Sequence, residues 1–166
     1  MRTGPGKCLL VAVAMIIWAS PVALRAAALP LEISGLIDRP IQVGAEELRA
    51  QPATAMTVFF HTGHGPTQAR FIGVSLWFLL ERAGIKSQGA RGAGLRNYVV
   101  VQGSDGYYAV VSQGELDPEF GGQQAILAYS QDGKDTNGIR LILPGDKGGG
   151  RNVMNVVRIV VRKAEP

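Results

Sequence analysis

The stretch YVVVQGSDGYYAVV, residues 98–111, contains two runs of β-branched and aromatic residues joined by a Gly-Ser-Asp-Gly turn. Such residues are enriched in strands, and an Asp-Gly pair between two runs of this kind predicts a β-hairpin. The pattern recurs in AILAYSQDGKDTNGIRLIL, residues 125–143, where Asp132-Gly133 and Asn137-Gly138 predict turns. The two stretches indicate a domain built largely from strands.

Three further segments are predicted to be strands. LEISGLIDRPIQV, residues 31–43, alternates apolar and polar residues around a turn at Asp38-Arg39-Pro40 and predicts an edge hairpin or two short strands. TAMTVFF, residues 54–60, is expected to be an inner strand because it is rich in β-branched and aromatic residues. NVVRIVV, residues 155–161, is expected at a sheet edge.

Helices are predicted at two places. VSLWFLLERAGI, residues 74–85, has Ser75 to cap its start, an apolar face at helical spacing, and Gly84 for a left-handed C-terminal position. AEELRA, residues 45–50, predicts a turn or two of helix before Pro52. Many strands with one or two short helices favour an α+β, mainly-β fold over a parallel doubly wound sheet.

The N-terminal segment has the pattern of a secretory signal peptide. Arg2 and Lys7 precede about a dozen apolar residues, and small residues follow, so we expect cleavage near Ala28. The apolar run is shorter than the roughly 20 residues that a membrane-spanning helix needs. We therefore expect a single domain, residues 29–166, that is periplasmic or secreted and not stably inserted in a membrane.

Removal of residues 1–28 would change the charge and the available chemistry. That segment carries three basic residues and no acidic one, so the formal net charge falls from +4 to +1. Nucleic acid is therefore not expected as a partner. Cys8, the only cysteine of the sequence, would also be lost, which leaves no thiolate for metal binding.

The first candidate site is FFHTGHGPTQAR, residues 59–70. His61 and His64 are three residues apart, and imidazole is a common metal ligand, but no third ligand is marked. We therefore predict no metal site here. The alternative that we favour is hydrogen bonding by His61 and His64, with Arg70 beside them, to an anion or a polar cofactor.

The second candidate site is LPGDKGGGR, residues 143–151. Its glycines, among them Gly145, free the backbone to expose N–H groups to an anion. Lys147 and Arg151 add positive charge, and a guanidinium can hold a phosphate through two parallel hydrogen bonds. A solvated connection is the alternative interpretation, since the spacing is not that of a Walker loop.

The third candidate lies at the turn of the first hairpin. Tyr107 and Tyr108 are expected on opposite faces, so that one packs and the other reaches a pocket. Asp105 is chiefly interpreted as a turn residue and is retained with Tyr107 as a candidate ligand contact. The acidic residues of GELDPE, residues 114–119, are interpreted as a solvated turn.

Taken in order, these segments resemble a known family. GLIDRP (35–40), FIGVSLWFLLERAGI (71–85), VVVQGSDGYYAVV (99–111), GELDP (114–118), ILAYSQDGK (126–134) and IRLILPGDKGGGRNVMNVVRIVV (139–161) resemble the sulfite-oxidase-type molybdopterin-binding domain. The resemblance covers nearly all of residues 31–162. It implies a compact fold with short helices on a mixed sheet or barrel, and a pterin held by loop histidines, arginines and backbone.

The sequence departs from that family at the residues that carry its chemistry. Where catalytic members place a molybdenum-ligating cysteine, this chain has Phe60, His61 and Thr62. The family pattern also places a lysine three residues after the arginine that Arg151 matches, and Met154 stands there. By resemblance the cofactor would be molybdopterin, and the alternative is that none is bound.

Two functions remain open from the sequence. The first is an oxidoreductase-type protein that binds a pterin-like or small anionic ligand but has degenerated in catalysis. The second is a cofactor-free periplasmic module that binds a ligand or a protein partner. The missing thiolate favours binding over redox catalysis.

Overall fold

The structure is a computed structural model, and it describes residues 30–85 and 92–165. The predicted signal peptide lies outside these residues. The helices are α1 Ala45–Arg49, α2 Leu76–Arg82 and α3 Gln113–Leu116. The strands are β1 Leu31–Gly35, β2 Ile41–Val43, β3 Ala53–Thr62, β4 Gly65–Ser75, β5 Asn97–Gly103, β6 Tyr108–Ser112, β7 Ile126–Gln131, β8 Lys134–Ile142 and β9 Val156–Lys163.

The strands form two sheets. One has five strands in the order β2-β1-β9-β5-β6, and the other has four in the order β3-β4-β7-β8. All pairs are antiparallel except β1 with β9, which are parallel. The predicted mainly-β, α+β fold is confirmed.

The predicted local signals are largely present. The Ser75 hydroxyl accepts a hydrogen bond from the Phe78 N–H at 3.3 Å and so caps α2. Gly84 follows the helix at φ +72°, a left-handed conformation that glycine adopts without a steric penalty. Asp132 and Gly133 both have positive φ, and they connect β7 to β8. These features depend on neighbouring residues alone, which is why the sequence reveals them.

The prediction for residues 54–60 was wrong about position. β3 is the edge strand of the four-stranded sheet, and only alternate side chains, Val58 and Phe60, are buried. Phe59 is 68% exposed. β-propensity reports how well a side chain fits a pleated surface, and it does not report how many neighbours the strand has.

The prediction for residues 155–161 was also wrong. β9 lies in the centre of the five-stranded sheet, where Val160 pairs with Ser34 on one side and Val100 on the other. Ile159 and Val161 alternate into the core. A central position requires a partner strand from the start of the domain, which no local pattern encodes.

Two smaller predictions also differ from the structure. Asn137 and Gly138 lie within β8, at an irregularity where the pairing with β7 shifts register between Ala128 and Ser130. They therefore form a bulge instead of a turn. Tyr107 and Tyr108 are both exposed, at 53% and 61%, so neither packs in the core.

The core has two parts because successive side chains of the four-stranded sheet point to opposite faces. The larger cluster contains the helix residues Leu76, Leu79 and Leu80 and the inward side chains of both sheets. The smaller cluster contains Val58, Phe60, Ala69, Phe71, Ile126, Ala128 and Ile142. Within the described residues, no helix has the length and apolar character required to cross a membrane.

We predict that Ile159→Ala lowers the free energy of unfolding by roughly 2–5 kcal/mol, because it leaves a cavity in the central strand. Denaturant unfolding would measure this change. Val160→Ala is the matched control, since Val160 is only half-buried, and its effect should be clearly smaller. Equal effects would contradict the assignment of Ile159 to the core face.

Candidate functional site

The β3–β4 hairpin presents one aromatic and one imidazole side chain on the same face. Phe59 pairs with Gln68 and His61 with Pro66, and residues two apart in a strand share a face. Phe60, between them, points the other way and packs against Phe71 with ring centroids 6.5 Å apart. The buried pair anchors the strand, so the outward face is held in a fixed orientation.

Residues 143–153, which we call the last loop, contact this hairpin. The His61 N–H donates to the Lys147 carbonyl at 2.8 Å, and His61 forms a parallel bridge with Gly148. A groove of about 280 Å³ lies at this junction. We call it the hairpin groove, and it is lined by Phe59, Phe60, His61, Pro66, Thr67, Gln68 and Lys147.

Arg151 forms the main electrostatic contact of the last loop. Its Nε and Nη2 donate to the two carboxylate oxygens of Asp146 at 2.9 and 2.6 Å, and its Nη1 donates to Glu115 at 3.3 Å. The hydrogen bond with Asp146, together with the charges of both acids, raises the pKa of the Arg151 guanidinium above its ordinary value, against an opposing effect of burial. Arg151 therefore links its own end of the last loop to Asp146 near the start of that loop, and it links the loop to Glu115 of α3.

The hairpin turn between β5 and β6 supports the last loop from the other side. The Tyr107 hydroxyl donates to the Gly150 carbonyl at 2.5 Å. The Asp105 carboxylate accepts from the Tyr107 N–H at 3.0 Å, as expected of a turn residue. The side chains of Tyr107 and Asp105 therefore each bind a backbone group of the protein in these contacts.

The structure brings some of the predicted site residues together and leaves others apart. His61 and Lys147 share the hairpin groove, Arg151 pairs with Asp146 within the last loop, and Tyr107, which is bonded to Asp105, contacts that loop at Gly150. Gly145 is the third residue of that loop and has a φ of +89°. Whether any of them binds a ligand stays a prediction.

His64 and Arg70 do not line the hairpin groove. His64 lies in the exposed turn between β3 and β4, where its N–H donates to the Thr62 hydroxyl at 3.2 Å. Arg70 is on the same hairpin face as His61 but roughly 13 Å along β4, at about 3.3 Å per residue. Its backbone N–H donates to Asp132 at 2.9 Å.

Sequence reasoning missed three residues of this region. Phe59 was not singled out, although strand alternation places it outward beside His61. Asp146 and Glu115 were not expected to pair with Arg151. Glu115 did carry a signal, because Ser112 and Glu115 have the spacing of a capping box, and the structure contains that box at the start of α3.

The described part of the chain was compared with the ligand sets that metal ions require in proteins. No group of three or more histidine, cysteine, aspartate or glutamate side chains is placed to hold an ion there. His61 and His64 therefore lack a third ligand of these types among the described residues.

Comparison with known proteins then identifies the family. The model of the oxidoreductase molybdopterin binding domain matches residues 19–166. The chain belongs to this family. The resemblance predicted from the ordered motifs is thus confirmed, and no curated protein matches the chain.

A solved relative supports the fold of this family member. The chain is similar to the sulfane dehydrogenase SoxCD from Paracoccus pantotrophus, with a TM-score of 0.66 and 21% sequence identity. The match covers 83% of this chain and 39% of the SoxCD chain. At that identity the likeness shows the fold alone.

The residues present do not fit a molybdopterin held as the resemblance implies. The only cysteine of the sequence is Cys8, which lies outside the described residues, so the described part of the chain supplies no thiolate beside the hairpin groove. The donors of Arg151 are directed at Asp146 and Glu115 instead of a phosphate. Met154 replaces the lysine of the family pattern and is 58% exposed.

We predict that Asp146→Asn creates a phosphate site at Arg151. The substitution removes the carboxylate charge that is paired with the Arg151 guanidinium, and it preserves the shape of the side chain at position 146. Charge-assisted hydrogen bonds contribute about 1.5–3 kcal/mol, so affinity for inorganic phosphate should rise about tenfold or more. Calorimetric titration would measure it.

Glu119→Gln is the matched control for this prediction. It changes the net charge by the same amount, and Glu119 is exposed and is not among the described hydrogen-bond or ion-pair partners of Arg151. If both variants bind phosphate equally, the gain comes from net charge and not from release of Arg151.

Proposed function

We propose that this protein binds a planar, anionic, pterin-like ligand in the hairpin groove and has lost thiolate-dependent molybdenum catalysis. The single observation that carries the proposal is the juxtaposition of Phe59, His61 and Lys147. It combines an aromatic surface, a hydrogen-bonding imidazole and a cation at one opening. Membership of the molybdopterin-binding family supports the ligand class.

The chemistry of the groove suits such a ligand. Phe59 is mostly exposed, and an aromatic ring contributes binding area by stacking on a flat partner. Lys147 supplies a positive charge, while His61 can donate or accept a hydrogen bond. At about 280 Å³ the groove is slightly smaller than the roughly 300–1,000 Å³ typical of ligand sites, which favours a fused ring over a larger cofactor.

The proposed loss of catalysis rests on the missing cysteine. A thiolate donates charge to molybdenum in a way that a neutral imidazole cannot reproduce without changing the redox potential. By resemblance, Phe60, His61 and Thr62 stand where catalytic members place the cysteine, and the His61 backbone is bonded to the last loop. Export to the periplasm is part of the proposal and is supported by the pattern of the first 28 residues.

A cofactor-free module that binds a protein partner is the second candidate. β3 is an edge strand, and its residues 53–62 include no Asp, Glu, Lys or Arg to discourage strand pairing. An extended peptide could add to such an edge. The two candidates differ in whether the side chains of the groove or the backbone of β3 make the contact.

We predict that pterin-6-carboxylate binds the purified protein and that Lys147→Gln weakens this binding about tenfold, because one charge-assisted contact is lost. Phe59→Ser should weaken it through loss of stacking. Quenching of pterin fluorescence would measure both. Lys163→Gln and Phe120→Ser are the controls, since Lys163 and Phe120 are exposed and outside the groove. Equal losses in the controls would place binding elsewhere.

We also predict molybdenum far below one equivalent in protein purified from the periplasm of a host that makes molybdopterin. Elemental mass spectrometry would measure the metal, and fluorescence after oxidation would measure the pterin. Near-stoichiometric molybdenum with pterin would overturn the loss of catalysis and leave thiolate-free coordination to be explained. Bound pterin without molybdenum would support the proposal.

A further inference from the structure

The outer edge of β3 presents backbone groups that no strand of the described chain pairs with. β3 is at the end of the four-stranded sheet, and its neighbour is β4. Thr57 lies opposite Arg70, and the N–H and carbonyl of Arg70 are bonded to Asp132 at 2.9 and 2.8 Å, on the β7 side of β4. In an antiparallel pair, two opposite residues exchange both hydrogen bonds or neither. The N–H and carbonyl of Thr57 therefore point away from β4.

The same direction applies to every second residue of β3, because backbone groups alternate in direction along a strand. We call these the outward residues of β3: Ala53, Ala55, Thr57 and Phe59. The next residue of the series, His61, supports this assignment, since its N–H donates to the Lys147 carbonyl at 2.8 Å and not to β4. In residues 30–85 and 92–165, no backbone hydrogen bond from a loop, turn or cap reaches the outward residues.

The outward residues are accessible and carry no charge. All four are exposed, whereas the residues between them are buried or half-buried. Residues 53–62 contain no proline and no Asp, Glu, Lys or Arg, and the pairing of β3 with β4 runs without a register shift. Natural proteins usually protect an edge strand with charges, proline or a bulge. This edge has none of these protections along β3.

The free part of the edge is bounded at both ends. At its C-terminal end the last loop is hydrogen-bonded to His61 and takes up the edge there. At its N-terminal end Pro52 has no N–H, and the chain before it turns into α1, where the Gln51 N–H donates to the Leu48 carbonyl at 3.1 Å. A pairing strand therefore has room only opposite residues 53–59.

We infer that this edge binds the same edge of a second copy of the chain, in an antiparallel pair about a two-fold axis at Met56. Ala53 then lies opposite Phe59 of the second copy, and Ala55 lies opposite Thr57 of the second copy. All the outward residues of both copies are paired in this register, which gives about eight backbone hydrogen bonds at two per pair. A shift by two residues in either direction would leave one outward residue of each copy unpaired.

The composition of β3 favours its own copy as the occupant. Phe59 is 68% exposed and would lie opposite the methyl group of Ala53 of the second copy, so a large side chain meets a small one. Because residues 53–62 carry no charge, the pair sets no like charges opposite each other. Each chain would leave the ladder at Gln51, where the last loop of the other copy begins, whereas a longer extended peptide would meet that loop.

The pairing would join the two four-stranded sheets into a single sheet through a self-complementary interface, as expected of a two-fold dimer. It would place Phe59 of each hairpin groove beside the interface. The inference does not depend on the pterin-like ligand. It replaces the peptide of the second candidate function as the occupant of this edge.

Sedimentation equilibrium of the purified protein over a wide range of concentration is the first test. We expect a reversible equilibrium between monomer and dimer. A protein that stays monomeric at every concentration would overturn the inference and leave the edge to an extended peptide.

Charged residues introduced into β3 test which residues face each other. Ala55→Lys with Thr57→Lys should weaken the dimer, because residue 55 lies opposite residue 57 of the second copy and like charges would meet. Ala55→Glu with Thr57→Lys should preserve it, because the same positions would then attract. We expect the dimer dissociation constants of these double variants to differ about tenfold or more. Both residues are exposed, so neither variant disturbs the core.

Gln42→Lys with Glu119→Gln is the control for net charge. It raises the net charge by the same amount as Ala55→Lys with Thr57→Lys, at exposed positions outside β3. Its dimer should dissociate like that of the unsubstituted protein. If this control weakens the dimer as much as the two lysines do, or if the two double variants of β3 dissociate alike, the inference fails.

Disulfide formation tests the register. Met56 would face Met56 of the second copy in a non-hydrogen-bonded pair, with Cα atoms about 4.5 Å apart, which is within disulfide range. In a Cys8→Ser background, Met56→Cys should therefore form a covalent dimer on mild oxidation. Thr54→Cys is the matched control, since Thr54 shares the face of Met56 but would lie roughly 13 Å from its copy, at about 3.3 Å per residue. Equal cross-linking of the two variants, or none by Met56→Cys, would contradict the proposed pairing.

Discussion

The backbone hydrogen bonds on both sides of β9 are the constraint on which the rest of the structure depends. β9 pairs in parallel with β1 and antiparallel with β5, so it joins the beginning and the end of the domain in one sheet. The same strand fixes where the last loop must return. The Leu141 N–H donates to the Val153 carbonyl at 2.9 Å, which leaves residues 144–152 to reach across to β3.

Two arginines illustrate how position decides chemistry in this protein. Arg151 is held by two carboxylates, and its pKa is raised because its charged form is hydrogen-bonded. Arg140 lies on an aromatic ring with a neutral amide as its partner, and burial lowers its pKa. The arginine that matches the family motif is thus paired with carboxylates of the protein itself, whereas Arg140 forms no ion pair within the described residues.

The candidate site was predictable only in part. His61 and Lys147 were singled out from residue type, and the structure places them in one groove. Asp146 was not expected as the partner of Arg151, because the four intervening residues of glycine-rich loop admit many conformations. Phe59 was overlooked because it was assigned to an inner strand, where both faces would be covered.

The sequence by itself determined the features that depend on neighbouring residues. These are the hairpin at Asp105-Gly106, the capped helix that begins after Ser75, the mainly-β class, and the ordered motifs that identify the family. The tertiary structure alone places β3 at the edge of one sheet and β9 at the centre of the other. It alone pairs Asp146 with Arg151. The physical reason is that propensity and turn chemistry act over a few residues. Strand order and ion pairing instead depend on which distant segments are brought together when the core is buried.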